Sequence, residues 1–178
     1  MSLKGLKILA LVVIVVGLGA DLATKAWFED LLEMDPGGVP PFGRIELIEG
    51  FFALEGTYNP GVTFGLAAGA TVPILIFTVI ATLALLVWLL ATTRRSAVLH
   101  VALGMVLGGA LGNLWDRFQW GEVRDFFLIY TGDPKTPSFE WPNFNVADSL
   151  IVCGVILILL HELFGQRNVP SSESAGTN

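Results

Sequence analysis

Gly108-Gly109-Ala110-Leu111-Gly112-Asn113-Leu114-Trp115-Asp116-Arg117, running on through Gln119 to Val123-Arg124-Asp125-Phe126, is the stretch on which the fold of this chain turns. It opens as the end of an apolar helix and closes with Asp116, Arg117, Arg124 and Asp125. Ionisable groups at the end of a membrane span are costly unless paired or wet, so by default they mark function.

The apolar runs on either side are those of an integral membrane protein. Of 178 residues, 53% are hydrophobic and only 15% charged, with a mean hydropathy of +0.69; a soluble domain of this size carries about a quarter charged residues. One compact membrane domain over residues 1–165 is expected. The formal net charge of -6 and the absence of a basic stripe argue against a nucleic-acid partner. The single cysteine, Cys153, sits inside an apolar run and supports neither a disulfide framework nor a thiolate cluster. His100 and His161 stand alone near helix ends, which fits packing or interfacial roles and no metal site.

Lys4 and Lys7 precede an apolar run that continues past Asp21 to Phe28, long enough to span and therefore read as a retained first span, not a cleaved leader. Four spans are predicted at about residues 8–28, 72–91, 98–115 and 147–164, with Pro73 at the start of the second, where a missing N–H does no harm. The outer loops are 29–70 and 116–146, and residues 166–178 form a Ser-rich, disordered cytoplasmic tail. Within the first loop, residues 44–58 mix β-formers with Gly50 and Gly56 and read as short strands or a hairpin on the membrane face. The fold class is thus an all-α membrane protein with four transmembrane helices and a small extracytoplasmic β-element between spans one and two.

Lys4, Lys7, Arg94, Arg95 and Arg167 fall on one side, which the positive-inside rule makes cytoplasmic along with both termini. Trp27, Trp115, Trp120 and Trp141 then belt the outer interface. Four polar clusters converge on that outer face. Asp21 and Lys25 lie four apart on one helix face and can pair. Asn59 sits in the Asn59-Pro60-Gly61 turn; Asn113, Asp116 and Arg117 share a face at the end of the third span; Asn145 and Asp148 share one where the fourth begins. Each also has a local reading: Asp21–Lys25 as a neutralising pair, Asn59 as a turn residue, and Asn145 as a helix cap. Gly104, Gly108 and Gly112, spaced by four, suit close helix packing.

Asp148, at the threshold of a long apolar helix, has no basic neighbour in sequence. Beside a second aspartate it could share one proton, one carboxylate activating water while the other polarises a carbonyl. A serine elbow, an H-E-x-x-H motif and a Cys–His pair are all absent, so any hydrolase here runs on aspartates. Spacing leaves both Asp116 and Asp125 eligible as the partner of Asp148.

At these residues the chain resembles the prolipoprotein signal peptidases, the type II signal peptidase family of bacteria. The match rests on Asp21-x-x-x-Lys25, Asn59-Pro60-Gly61-Val62-Thr63-Phe64-Gly65, the Gly108–Arg117 block, Val123-Arg124-Asp125-Phe126, and Phe144-Asn145-Val146-Ala147-Asp148-Ser149. It covers about residues 6–165. The resemblance implies an aspartyl endopeptidase of the bacterial inner membrane that cuts diacylglyceryl-modified prolipoproteins before the lipidated cysteine, with membrane lipids around it, no cofactor and a monomeric state. It implies Asp125 and Asp148 as the catalytic pair. Asn59, Asn113, Arg117 and Asn145 would position substrate or support the site, and Asp21, Lys25 and Asp116 would support the fold around it. Two departures stand out: Thr63 where a small residue is common, and Arg124 where an apolar one is common. An arginine beside Asp125 is expected to lower that carboxyl's pKa. The competing class is a small ion or solute transporter with membrane-edge carboxylates, disfavoured because nothing charged lies near the midplane of spans two to four.

Overall fold

The computed structural model describes residues 1–35, 42–61 and 71–165. The expected disordered tail, Thr63 and Arg167 lie outside the described residues. Four helices carry the apolar runs: α1 (Leu3–Leu31), α2 (Thr71–Ala91), α3 (Ala97–Trp120) and α4 (Val146–Gly165). All four are long and apolar enough to cross a membrane. The third is the axis of the bundle. Of its most apolar window 72% is buried, against 22% or less in the other three, and α1, α2 and α4 all pack on it.

Glycines let that packing close. A Cβ at Gly104 would stand 2.8 Å from the Ala10 carbonyl of α1, and one at Gly109 would stand 2.4 Å from the Ala147 carbonyl of α4. With no Cβ, backbones approach to van der Waals contact, and dispersion replaces a hydrophobic drive that lipid cannot supply. Below this contact a core of Ala10, Leu89, Leu99, Leu103 and Leu107 joins three helices.

The β-element is larger than the sequence suggests. Strands β1 (Arg44–Ile48) and β2 (Phe52–Asn59) form the expected hairpin. Two more strands, β3 (Val123–Asp133) and β4 (Thr136–Glu140), arise where residues 116–146 were read only as a loop, and the four pair antiparallel in the order β1-β2-β3-β4. Helix α3 also runs on to Trp120 before Gly121, at φ 76°, ends it in the left-handed conformation. The loop reading fails because β3 opens without a period-two pattern: Val123 to Phe126 are buried in succession, so both faces of the strand are covered there. An aromatic cluster of Phe28, Tyr58 and Phe126 with Phe42 and Phe127 fastens the sheet to the end of α1; Phe28 and Phe126 lie 4.3 Å apart between ring centroids. In this register Asp125 pairs with Thr57, and Asn59 closes β2 opposite Val123.

Candidate active site

Three asparagines hold two carboxylates where α3, α4, β2 and β3 meet. Asn145 is the N-cap of α4: its Oδ1 accepts from Asp148 N at 3.0 Å while Asp148 Oδ2 accepts from Asn145 N at 3.2 Å, a reciprocal capping box. Since Oδ1 is engaged by a donor, Nδ2 must face the other way, and it donates to Asp125 Oδ1 at 2.7 Å. The same logic fixes Asn59, whose Oδ1 accepts from Gly61 N at 2.9 Å while its Nδ2 donates to Asp125 Oδ2 at 3.0 Å. Asn113 Oδ1 accepts from the Lys25 ammonium at 2.9 Å, a group that can only donate, so Asn113 Nδ2 reaches Asp148 Oδ1 at 2.8 Å. Each amide is oriented by a partner that serves the fold, and each presents its N–H to Asp125 or Asp148. Asn145 Nδ2 also lies 3.1 Å from Asn113 Oδ1, which links the two carboxylate cradles.

Behind the asparagines lies a buried ion network. Lys25 Nζ sits 2.8 Å from Asp21 Oδ2 and 3.2 Å from Asp116 Oδ2, all three side chains fully buried. Asp21 Oδ1 accepts from Ala147 N at 2.9 Å, placing a carboxylate at the positive end of α4. Gly112 makes room for it, since a Cβ there would lie 2.2 Å from Asp21 Oδ2. Asp116 also accepts three hydrogen bonds from Arg124: Nη2 to Oδ1 at 2.7 Å, and Nε at 3.3 Å and the backbone N at 3.0 Å to Oδ2. Both oxygens of Asp116 are therefore committed to cations and backbone. Those of Asp125 meet only neutral amides.

Asp125 is 1% exposed. Burial, and then the charge of Asp148, push its carboxyl up to about 8, against the opposing pull of the Asn59 and Asn145 amides and Lys25. The expected lowering by Arg124 does not occur. Consecutive strand residues point to opposite faces, so the Arg124 guanidinium turns away to Asp116 and to Glu29 Oε2 at 2.5 Å. Asp148 is half-buried and lines a cavity of about 400 Å³, walled by Ile129, Phe139, Trp141, Phe144 and Val152 and reaching Cys153. Although no cation lies near Asp148 in sequence, the fold brings Arg117 into its field, together with Asp125 and Asp116. Arg117 Nη1 contacts only the Asn113 carbonyl, at 3.4 Å, and its buried Nε has no partner among the described residues.

All nine residues singled out from the sequence thus belong to one connected cluster. Sequence reading missed Glu29 and Tyr58, whose Oη donates to Glu29 Oε1 at 2.9 Å and extends the network towards the sheet. Nothing in the sequence near Glu29 distinguishes it from its acidic neighbours Asp30 and Glu33; its partner Arg124 is 95 positions away.

Four helices long and apolar enough to cross a membrane, with two amide-cradled carboxylates beside them, one buried and one open to an apolar cavity, define a membrane protein with a candidate aspartic site. Comparison with known proteins makes the class specific. The family described as signal peptidase (SPase) II matches residues 12–164. The lipoprotein signal peptidase of Symbiobacterium thermophilum is 39% identical over 124 residues, covering 70% of this chain and 78% of the relative. That of Pseudomonas fluorescens is 39% identical over 160 residues, covering 88% and 85%. A bacterial membrane enzyme solved by the in meso method at 2.3 Å resolution shares the fold with a TM-score of 0.71 at 29% identity, over 94% of each chain. The chain belongs to the signal peptidase II family, a family of aspartic-type membrane proteases.

Proposed function

We propose that this protein removes signal peptides from diacylglyceryl-modified prolipoproteins, cutting before the lipidated cysteine, with Asp125 and Asp148 as the catalytic pair. The observation that carries this reading is the cradle itself: three asparagines whose orientation is fixed by the fold, all aimed at these two carboxylates. Asp116 is set aside because Lys25 and Arg124 already saturate it.

In this mechanism Asp125 begins protonated, consistent with its elevated pKa, and Asp148 serves as the base. Asp148 takes a proton from water as the water oxygen bonds to the scissile carbonyl carbon. Asp125 gives its proton to the carbonyl oxygen, forming a neutral gem-diol. The C–N bond then breaks as Asp148 returns its proton to the departing cysteine nitrogen and a diol hydroxyl returns one to Asp125. Arg117, with donors to spare beside the pair, holds a substrate carbonyl. The apolar cavity beside Asp148 receives an acyl chain, which sets the scissile bond at the bilayer edge.

Residues 1–165 act as a monomeric peptidase domain in the inner membrane, both termini cytoplasmic and the site at the outer face. The sheet rests on that face: Leu47, Ile48 and Phe51 expose apolar side chains that water would disfavour and a bilayer surface accepts. Cleavage of a lipidated prolipoprotein peptide by the purified protein tests the reading. Asp125→Asn and Asp148→Asn are each expected to abolish cleavage while keeping the parent's helical circular dichroism. Full activity in both variants would refute it.

A further inference from the structure

At the opposite end of the bundle from Asp125 and Asp148, α1 and α2 line a groove of about 530 Å³ that the peptidase chemistry does not use. Lys7 lies 14 residues before Asp21 on α1, roughly 21 Å along the helix. The groove walls are Ile8 and Leu11 of α1 and Leu86 and Leu90 of α2, all exposed, and its floor is Leu89 of the buried core. Lys4 and Lys7, one turn apart on the same helix face, stand at its mouth.

The charges there lack carboxylate partners. Lys7 Nζ donates to the Leu90 carbonyl at 2.6 Å, satisfying an orphan group at the end of α2 and leaving two N–H donors. Among the described residues, Lys4 and Arg95 form no ion pair, whereas Arg94 is held by Glu162. No acidic residue precedes Asp21 on α1. In a chain of net charge -6, Lys4 and Lys7 thus stand together at this groove without carboxylate partners.

We infer that this groove is a binding site for an anionic glycerophospholipid, with one acyl chain between α1 and α2 and the phosphodiester on Lys4 and Lys7. An apolar cleft capped by ammonium groups at the bilayer interface offers both halves of such a ligand what they need. The chain meets leucine and isoleucine, and the phosphate meets cations that no protein carboxylate neutralises. A zwitterionic lipid fits the cleft equally well but loses attraction at the lysines. The site stands independently of the peptidase reading.

Native mass spectrometry of the full chain released from detergent, with phosphatidylglycerol or phosphatidylcholine added, tests it. Each lysine near a phosphate is worth about fivefold in binding, so the preference for phosphatidylglycerol is expected to be about 25-fold and to vanish in K4Q/K7Q. Lys4→Gln alone leaves the Lys7–Leu90 bond intact and should lose about fivefold, which covers the case in which the double variant does not fold. K4R/K7R should keep the preference. Leu86→Trp, which fills the cleft and leaves both lysines, should weaken retention of both lipids. The inference is overturned if the preference survives in K4Q/K7Q or is undiminished in Lys4→Gln, or if Leu86→Trp leaves phosphatidylglycerol retention unchanged, which would indicate only diffuse surface charge. Cleavage activity in micelles should be the same in all these variants.

Discussion

Raising the pH through 8 interrogates Asp125 directly. In the proposed mechanism this carboxyl must carry a proton when substrate binds, and burial beside Asp148 holds its pKa near 8. An ordinary aspartic acid would have lost that proton some four pH units earlier. With one essential proton and a pKa of about 8, roughly nine-tenths of the enzyme is competent at pH 7, about a tenth at pH 9 and about a hundredth at pH 10. A plot of log kcat/KM against pH for the lipidated peptide should therefore fall with unit slope above a midpoint near 8. Asn59→Ala supplies the second half of the test. The Asn59 amide donates to Asp125 Oδ2 and favours its charged form, so its removal must raise the pKa and carry the alkaline limb upward. At pH 9 the variant should keep a larger fraction of its own plateau than the parent does, even if that plateau is lower. A profile flat to pH 10, or a limb that moves down in Asn59→Ala, would refute the assignment of the proton to Asp125.

The same carboxyl should leave a mark on stability. Between pH 3.8 and about 8 folded Asp125 keeps a proton that the unfolded chain has released, so its contribution to stability falls as pH rises, by up to about 1.4 kcal/mol per unit, and levels off above 8; melting followed by circular dichroism would expose a wrong sign. Gly112→Ala should displace the Asp21 carboxylate from Lys25 and Ala147, and breaking a buried pair costs about 3–5 kcal/mol. Gly121→Ala meets no atom within 4 Å and suffers only its positive φ, roughly 1–2 kcal/mol, so equal losses in the two variants would overturn this account. Labelling Cys153 with a long-chain alkyl thiol reagent should occupy the cavity beside Asp148 and raise KM, while Cys153→Ser is indifferent to the reagent. Unchanged KM after complete labelling would remove the acyl chain from that cavity.

The four helices were legible because apolar runs of span length have few other uses in a chain this poor in charge. The residues of the candidate site were legible as a list but their geometry was not. Asn59, Asn145 and the Asp21–Lys25 pair each admitted a local role and a site role, and from sequence these look like alternatives. They are not, because an asparagine has two polar ends. Asn145 caps α4 with its oxygen and grips Asp125 with its nitrogen. Likewise, in the proposed mechanism, the preference for Asp125 over Asp116 rests on the Lys25 contact to Asp116, which spans 91 positions of chain. The start of strand β3 is hidden because a ribbon covered on both sides carries no alternation to read. The effect of Arg124 is hidden for a related reason: adjacency in a strand puts two side chains on opposite faces, which adjacency in sequence does not show.

The double duty of the asparagines bears on how the enzyme could evade an inhibitor. A ligand that engages Asp125 and Asp148 would ordinarily be escaped by altering the residues that present those carboxylates. Here the presenting residues also finish a helix, close a turn and anchor a buried lysine. Any exchange that loosens the ligand loosens the protein with it, so resistance is pushed outward to the cavity wall, where Phe139 or Val152 can change without touching the frame.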